Sequence, residues 1–251
     1  MTPCSSSILE VGKIIRQSDG LQKDFHMTVL GRDDLQHVLQ VQQKVLNDLE
    51  DFSLYYPSSE QIFEDSLGGS GIIIGAWVDD QLIAFRSIWY PRSHPENLGL
   101  EIGMQHADHL DQVAHLERSC VIPEYRGNRL QSLMTRYAID IANQNNSFRY
   151  LFSTVAPMNY PSMKDKLGVN MVIVQLKKKY EDYYRYIFYQ DILNPIISPV
   201  QSDDSHIFVD VEDIASQMQL LETNDDVHGY ILQKNNEMMQ IGYAKTNRPL
   251  F

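Results

Sequence analysis

Residues 120–142 read CVIPEYRGNRLQSLMTRYAIDIA, and this stretch decides the fold. Its first residues are apolar and lead to Pro123, which has no N–H to donate and therefore ends a strand. From Leu130 onward the apolar residues follow the i, i+3, i+4, i+7 spacing of an amphipathic helix, which we expect to begin within a residue or two of Asn128. A short glycine-containing loop thus joins a strand to a helix that packs on a sheet.

The loop between strand and helix has the properties of an anion-binding site. The N–H groups in the first turn of a helix have no intrahelical acceptor, and the helix dipole adds partial positive charge there. Gly127 lets the backbone come close to a ligand, and Arg126 and Arg129 can add charge-assisted hydrogen bonds. A solvated helix start with a turn glycine would carry the same residues, so the loop alone leaves the ligand open.

The residues around the loop narrow the choice of ligand. The segment from Cys120 to Gly127 resembles the acetyl-CoA-binding motif of the GNAT superfamily of acyltransferases, in which a strand ends in Val-x-Pro-x-x-Arg-Gly and a pyrophosphate-binding loop opens the next helix. Residues 151–155 are similar to the family's next strand, and residues 166–168 to its Lys-Leu-Gly close. The resemblance, which spans residues 25–192, implies acetyl-CoA as cosubstrate, bound by Cys120, Val121, Ile122, Arg126, Gly127, Asn128, Arg129, Leu130, Gln131, Ser132 and Asn159.

Three positions depart from the family pattern. The family usually has glycine where Arg129 stands, and glycine or alanine where Gln131 stands. Backbone amides can still bind phosphate if both residues adopt ordinary helical angles, with their side chains turned away from the ligand. Many members place a general-acid tyrosine four residues before the closing glycine, and that position is Lys164 here. Tyr160, one helical turn earlier, is our candidate for the catalytic acid, with a packed aromatic residue as the alternative.

The resemblance also implies direct transfer of the acyl group to an amine, without a covalent enzyme intermediate. Glu117 is our candidate for the catalytic base, because it lies on the strand leading into the motif, where family members often carry an acidic group; a plain surface carboxylate is the alternative. Strand alternation predicts that Glu117, Ser119 and Val121 share a face, together with His115. A backbone N–H near residues 120–122 would polarise the thioester carbonyl. We interpret Cys120 as a small buried hydrophobe, since direct transfer needs no nucleophile.

Composition excludes several other classes. The 251 residues carry a net charge of -12, which argues against a nucleic-acid-binding face, and the basic run 177–179 is interpreted as a solvated strand end. Two cysteines without a CxxC pair favour a reducing compartment. The sequence has no apolar run of signal-peptide or membrane length, so we expect a cytoplasmic protein without a membrane partner. The histidines and aspartates of residues 106–115 match no standard zinc spacing, so we expect no metal.

The pattern of elements predicts a mixed α/β (α+β) fold, and the resemblance implies a GNAT-like, mostly antiparallel central sheet flanked by helices. Residues 1–24 are predicted to be an N-terminal arm, frayed or with a short helix around 8–16. Residues 25–194 form the acyltransferase domain, and 195–204 form a linker rich in Pro, Ser and Asp. Residues 205–251 form a small β-α-β-β appendage that docks on the main domain or on a second subunit, which leaves a homodimer open.

The sequence therefore predicts an N-acetyltransferase that moves an acetyl group from acetyl-CoA to a primary amine of a small molecule or peptide. A non-catalytic CoA-binding regulatory module is the alternative, because Lys164 replaces the usual acid and both loop glycines are missing. No GxxxxGK loop, GxGxxG loop or GxSxG elbow occurs, which argues against nucleotide hydrolysis, dinucleotide oxidoreduction and serine esterase chemistry.

Overall fold

The computed structural model describes residues 8–144, 148–180, 182–196, 206–224, 226–246 and 250. Strands, several of them in consecutive pairs, and helices follow one another along the chain, with short 3-10 turns between some of them. In chain order the strands and α-helices are β1 (Ile8–Ile15), β2 (Gln22–Val29), α1 (Leu35–Asp48), α2 (Glu60–Asp65), β3 (Gly71–Val78), β4 (Gln81–Trp89), α3 (Ala107–Leu110), β5 (Val113–Val121), α4 (Leu130–Gln144), β6 (Tyr150–Val155), α5 (Tyr160–Leu167), β7 (Val172–Lys179), β8 (Tyr183–Asp191), β9 (Ile207–Asp210), α6 (Ile214–Glu222), β10 (Val227–Asn235) and β11 (Met238–Lys245).

These elements form two compact units. The first contains residues 8–52, 56–91 and 115–144, with its strands in the order β1-β2-β3-β4-β5. The second contains residues 53–55, 92–114 and the described residues from 148 onward, with its strands in the order β6-β8-β7-β10-β11-β9. Neighbouring strands within each unit run antiparallel. The predicted fold class, a mixed α/β protein with a mostly antiparallel sheet flanked by helices, is confirmed.

Helix α4 is fixed to the sheet of the first unit by its apolar face. Leu130, Met134 and Ala138 recur every four residues and are all buried, and the helix packs on β3 and β4. Full burial of a leucine or methionine side chain is worth about 1.5–3 kcal/mol. Because Leu130 is the first residue of the helix, the same packing fixes the position of the loop in front of it.

The prediction of a frayed or helical arm at residues 8–16 is wrong, because this segment forms strand β1, which pairs antiparallel with β2. A β-bulge between Ile8 and Glu10 interrupts the two-residue alternation of the strand, which makes its apolar spacing look helical. Gly12 is required by close packing, since a Cβ at this position would lie 2.8 Å from Cε1 of Phe25. The chain therefore begins, in its described part, with a β-hairpin.

In the second unit, the C-terminal strands and helix pack on β7. Strand β10 pairs with β7 at Gly229 and Ile173, and α6 also packs on β7. The buried Gln217 of α6 accepts hydrogen bonds from the hydroxyls of Tyr186 and Tyr243, each at 2.7 Å. The predicted appendage is thus held to the neighbouring strands by backbone and side-chain bonds. Most of the predicted linker lies outside the described residues.

The basic run at the end of β7 is neutralised by local ion pairs. Lys177 and Lys179 both bind the carboxylate of Glu101, and Lys178 lies 3.7 Å from the carboxylate of Asp182. Burial raises the pKa of Glu101, but the two lysine hydrogen bonds outweigh it and bring the pKa below its usual range. This arrangement agrees with the interpretation of the run as a strand end. Within the part of the chain that the structure describes, no helix is long and apolar enough to span a membrane.

Candidate active site

The loop between β5 and α4 has two residues in left-handed backbone conformation. After a 3-10 turn at Pro123–Tyr125, the φ angle is 79° at Gly127 and 59° at Arg129. Arg129 therefore does not have the helical angles considered in the sequence analysis, while Gln131 lies inside α4. A non-glycine residue in this region costs about 1–2 kcal/mol, because its Cβ crowds the following carbonyl. Arg129 thus has a backbone conformation that glycine adopts more readily than arginine does.

The start of α4 presents backbone N–H groups that the helix itself does not use. The amide of Leu133 donates to the carbonyl of Arg129 at 3.0 Å, which begins the helical hydrogen-bond pattern. The preceding amides, at Leu130, Gln131 and Ser132, have no acceptor one turn earlier in the helix. Leu130 is buried, whereas Gln131 and Ser132 lie at the surface. Together with the loop, they form a row of donors at the positive end of a fifteen-residue helix.

The two loop arginines differ in their surroundings. Arg126 forms an ion pair with Asp48 at the end of α1, with Nη1 2.6 Å from Oδ2, and its Nε donates to the carbonyl of Val121 at 3.3 Å. Arg129 is exposed, and no ion pair to its side chain occurs among the described residues. Arg129 is therefore free to bind an incoming anion. Arg126 would have to give up its ion pair with Asp48 to bind the same anion.

The side chain of Asn128 joins the loop to the first hairpin. Its Oδ1 accepts from the amide of Ile15 at 2.8 Å, and its Nδ2 donates to the carbonyl of Ile15 at 2.7 Å. Gln17 adds a backbone bond to the carbonyl of Glu124 at 2.6 Å and a side-chain bond to the carbonyl of Arg126 at 3.0 Å. The turn of the β1–β2 hairpin is therefore bonded to the loop on both sides of Gly127.

The three residues at the end of β5 have different amide directions. Cys120 and Ile122 are buried, as expected for small apolar core residues, and Val121 is partly exposed. The amide of Ile122 donates to the carbonyl of Ile83 in β4, at 3.0 Å. Because alternate residues of an antiparallel strand bond to the same neighbour, the amide of Val121 points away from β4. Among residues 120–122, Val121 is therefore the one whose amide can reach a ligand beside the strand.

Glu117 lies at a β-bulge, where the register between β4 and β5 shifts by one residue. Its Oε1 is 3.2 Å from Nδ1 of His115, and its Oε2 accepts a hydrogen bond from Arg118. The bulge interrupts the strand alternation, so the prediction that Glu117 and Ser119 share a face does not hold beyond this point. His115 and Glu117 do meet, as predicted, and His115 also packs edge-on against Trp89.

Asn159 and Tyr160 belong to the second unit, at the start of α5. Asn159 caps this helix, because its side chain accepts from the amide of Ser162 at 3.2 Å, and its Nδ2 donates to the carbonyl of Leu54. The Tyr160 hydroxyl contacts the sulfur of Met158 at 3.6 Å. Burial, with the nearby carboxylates of the 210–212 segment, raises the pKa of Tyr160 and keeps it protonated near neutral pH. Lys164 is exposed.

The histidine side chains in the segment before β5 pack against each other and against a tyrosine ring. The rings of His106 and His109 are 6.0 Å apart, and His109 packs against Tyr150 at 5.8 Å. Over the described ranges, no group of three or more His, Cys, Asp or Glu side chains is placed to hold a metal ion.

Sequence reasoning missed the residues that contact the loop from outside it, namely Ile15, Gln17 and Asp48. The hairpin had a readable signal, since Asp19-Gly20 between two apolar runs is typical of a turn. Gly20 indeed has a φ angle of 72°. No sequence signal predicts that this turn meets the loop more than one hundred residues later, because that contact depends on sheet order.

Comparison with known families agrees with the strand, loop and helix described above. The model of the Acetyltransferase (GNAT) family matches residues 38–164, which include the whole loop and both candidate catalytic residues. This chain belongs to the GNAT acetyltransferase family. A search of curated proteins found no match.

Solved structures share the fold at low sequence identity. An N-acetyltransferase from Staphylococcus aureus Mu50 has a TM-score of 0.51 and 15% identity, covering 68% of this chain and 99% of that one. Arabidopsis thaliana NAA60 in complex with acetyl-CoA has a TM-score of 0.53 and 14% identity, covering 68% and 99%. An acetyltransferase from Salmonella typhimurium, yncA, with its cofactor acetyl-CoA has a TM-score of 0.52 and 9% identity, covering 70% and 99%. At these identities the likeness concerns the fold.

Proposed function

We propose that this protein is an N-acetyltransferase that transfers the acetyl group of acetyl-CoA to a primary amine of a small molecule or peptide. The observation that carries the proposal is the loop at the start of α4, where Arg129, Gln131 and Ser132 lie at the surface and the first-turn amides have no acceptor within the helix. A pyrophosphate is the kind of ligand that such a helix start stabilises. Family membership and the acetyl-CoA held by two similar structures support this ligand.

In the proposed reaction, the amine nitrogen attacks the thioester carbonyl, the C–N bond forms, and the C–S bond breaks to release CoA. The amide of Val121, which points away from β4, would stabilise the oxyanion that develops on the carbonyl oxygen. Tyr160 would return a proton to the leaving thiolate. Its hydroxyl carries the required proton near neutral pH, because the pKa of a tyrosine lies near 10 and burial raises it further.

Glu117 would take part in deprotonating the amine. A lysine-like amine is protonated at pH 7, and its neutral form costs about 4.6 kcal/mol. The two oxygens of Glu117 are engaged by His115 and Arg118, so the carboxylate is held in one orientation. It would accept a proton directly by giving up one of these bonds, or through a water molecule.

The first experiment is a calorimetric titration of the purified protein with acetyl-CoA. We expect micromolar binding that weakens in Arg126→Ala and Arg129→Ala. Arg136→Ala is the matched control, because it removes an exposed positive charge from the same helix beyond the loop. Absence of binding to the unaltered protein would overturn the proposal.

A non-catalytic CoA-binding module is the second candidate, favoured by the exposed Lys164 in the usual place of the acid. Turnover separates the two functions. An acetyltransferase releases CoA thiol from acetyl-CoA when a reactive amine is present in a panel of small amines and peptides. A binding module would bind acetyl-CoA with the same dependence on Arg129 and release no thiol.

A further inference from the structure

The loop at residues 126–129 has a backbone conformation that its own sequence does not favour. Both Gly127 and Arg129 have positive φ angles, and Arg129 carries a side chain in that region. A residue of this kind keeps such a conformation only when surrounding contacts hold it in place. The amides of the first turn of α4 follow directly, so the loop conformation determines where these donors point.

The contacts that hold the loop come from the turn of the β1–β2 hairpin. Asn128 forms a two-way hydrogen bond with the backbone of Ile15, and its Nδ2 also donates to the carbonyl of Tyr125 at 3.0 Å. Gln17 binds the carbonyls of Glu124 and Arg126. These bonds lie on both sides of Gly127 and leave the amides of α4 untouched.

The hairpin is itself anchored to the rest of the first unit. Ile14 is buried, and the hydroxyl of Tyr137 on α4 donates to Glu10 at 2.6 Å. That hydrogen bond raises the pKa of Tyr137. The hairpin therefore contacts both the middle of α4 and the loop in front of it. These two contacts fix the loop relative to the helix.

We propose that the β1–β2 hairpin holds the cofactor loop in its binding conformation, with Asn128 and Gln17 as positioning residues. This inference rests on the proposed binding of acetyl-CoA at the loop. The Asn128 side chain contributes by fixing the backbone, and it does not touch the ligand. Without it, only a fraction of molecules would have the competent loop, and the apparent affinity would fall by that fraction.

The test measures acetyl-CoA affinity in Asn128→Ala and Gln17→Ala. We expect about tenfold weaker binding for Asn128→Ala, which loses both bonds to Ile15, and about threefold for Gln17→Ala. Gln22→Ala is the matched control, because Gln22 lies on the same hairpin with an exposed side chain, and it should bind as the unaltered protein does. Turnover at saturating acetyl-CoA should be unchanged in Gln17→Ala and Gln22→Ala, so the effect of Gln17→Ala appears in KM and not in kcat.

A rescue separates positioning from a general loss of structure. Glycine populates positive φ freely, so Arg129→Gly removes the need for the clamp. The loss caused by Asn128→Ala should shrink from about tenfold to less than threefold when Arg129→Gly is already present. Equal losses in both backgrounds would overturn the inference. An affinity that rises in Asn128→Ala would also overturn it, because the hairpin would then be obstructing the loop.

Amide hydrogen exchange without acetyl-CoA gives a readout that is independent of the proposed function. We expect faster exchange at residues 127–133 in Asn128→Ala and no change in Gln22→Ala. If the unaltered protein binds no acetyl-CoA, the proposed function fails, and the exchange rates still show whether the hairpin holds the loop. Unchanged exchange together with unchanged affinity in Asn128→Ala would refute the clamp alone.

Discussion

Arg126 has two oxygen partners in the structure, the carboxylate of Asp48 and the carbonyl of Val121. Both side chains of the ion pair are about half exposed, at 46% and 40%. Exposed ion pairs of this kind contribute about 0.2–1 kcal/mol. A phosphate oxygen offers a stronger bond to a guanidinium, so the proposed ligand would displace Asp48 from Arg126 at a small cost.

At this position, Asp48→Asn should tighten acetyl-CoA binding by about two- to fivefold, because it frees Arg126 and removes a negative charge near the loop. The gain should decrease as salt is added, since exposed charges are screened. Calorimetric titrations at low and high salt measure both effects. Asp80→Asn, at the exposed β3–β4 turn, is the control with the same loss of charge. Unchanged affinity in Asp48→Asn would show that the pair does not compete with the ligand.

At Glu117, replacement by glutamine keeps the shape of the side chain and removes its basicity. We expect turnover to fall by about 10²–10⁴, the usual contribution of a general base, with acetyl-CoA affinity unchanged. Steady-state kinetics and calorimetry on the same preparations give the two numbers. Glu237→Gln, at an exposed turn, should change neither. Unaltered turnover would remove Glu117 from the mechanism.

At the scale of single elements, the β3–β4 hairpin depends on one glycine. A Cβ at Gly71 would lie 2.2 Å from the carbonyl oxygen of Ile88, which is backbone and cannot rotate away. We expect Gly71→Ala to lower the free energy of unfolding by about 2–3 kcal/mol through the forced separation of the strands. Chemical denaturation measures the loss.

The neighbouring Ser70 provides the control for this change. Its hydroxyl is buried and has no hydrogen-bond partner among the described residues, so Ser70→Ala should be neutral or slightly stabilising. Equal stability of Gly71→Ala and the unaltered protein would show that the strand pair relaxes more easily than its spacing indicates.

Most elements follow from the periodicity of the apolar residues. Strand β5 ends before Pro123 and helix α4 begins within two residues of Asn128, both as predicted, because the proline and the unbroken 3.6-residue period of the helix are local signals. Strand β1 was missed where a bulge and a glycine break that period. The bulge at Glu117 disturbed the predicted face of β5 for the same reason, since a single extra residue inverts the alternation.

The candidate site was predictable to the extent that it is local. The strand, loop and helix around Gly127 are contiguous in sequence, so their motif identified them. Ile15, Gln17 and Asp48 reach the loop only through the folded sheet and α1, and no local pattern encodes such contacts. The left-handed backbone of Arg129 also escaped prediction, because its side chain gives no sign of a conformation imposed by other parts of the chain.

At the scale of the whole molecule, stability in mild acid depends on a buried histidine. His228 on β10 is 2% exposed, and burial lowers its pKa from 6.5 to about 4. Between these two values the unfolded chain binds a proton that the folded chain does not. The contribution of neutral His228 to the free energy of unfolding is therefore fully present above pH 6.5. It is lost progressively as the pH falls towards 4, by about 3 kcal/mol at most.

The variant His228→Leu should flatten this dependence, because leucine fills a similar volume and does not titrate. Denaturation midpoints at pH 7.5, 6 and 5 should fall together for the unaltered protein and change less for the variant. Carboxylates with lowered pKa values, such as that of Asp191, titrate below this window and affect both proteins equally. The same pH dependence in both proteins would show that His228 does not cause it.

If the proposed clamp is correct, the residue tolerated at position 129 depends on a hairpin in a distant part of the chain. Asn128 and Arg129 are adjacent in sequence, yet the hairpin that meets Asn128 lies more than one hundred residues earlier. A lineage that loses this hairpin would need glycine again at position 129, and one that keeps it can vary that position. The glycine of the family motif is therefore expected to be conditionally dispensable, retained in relatives without the N-terminal strands and replaceable only in those that have them.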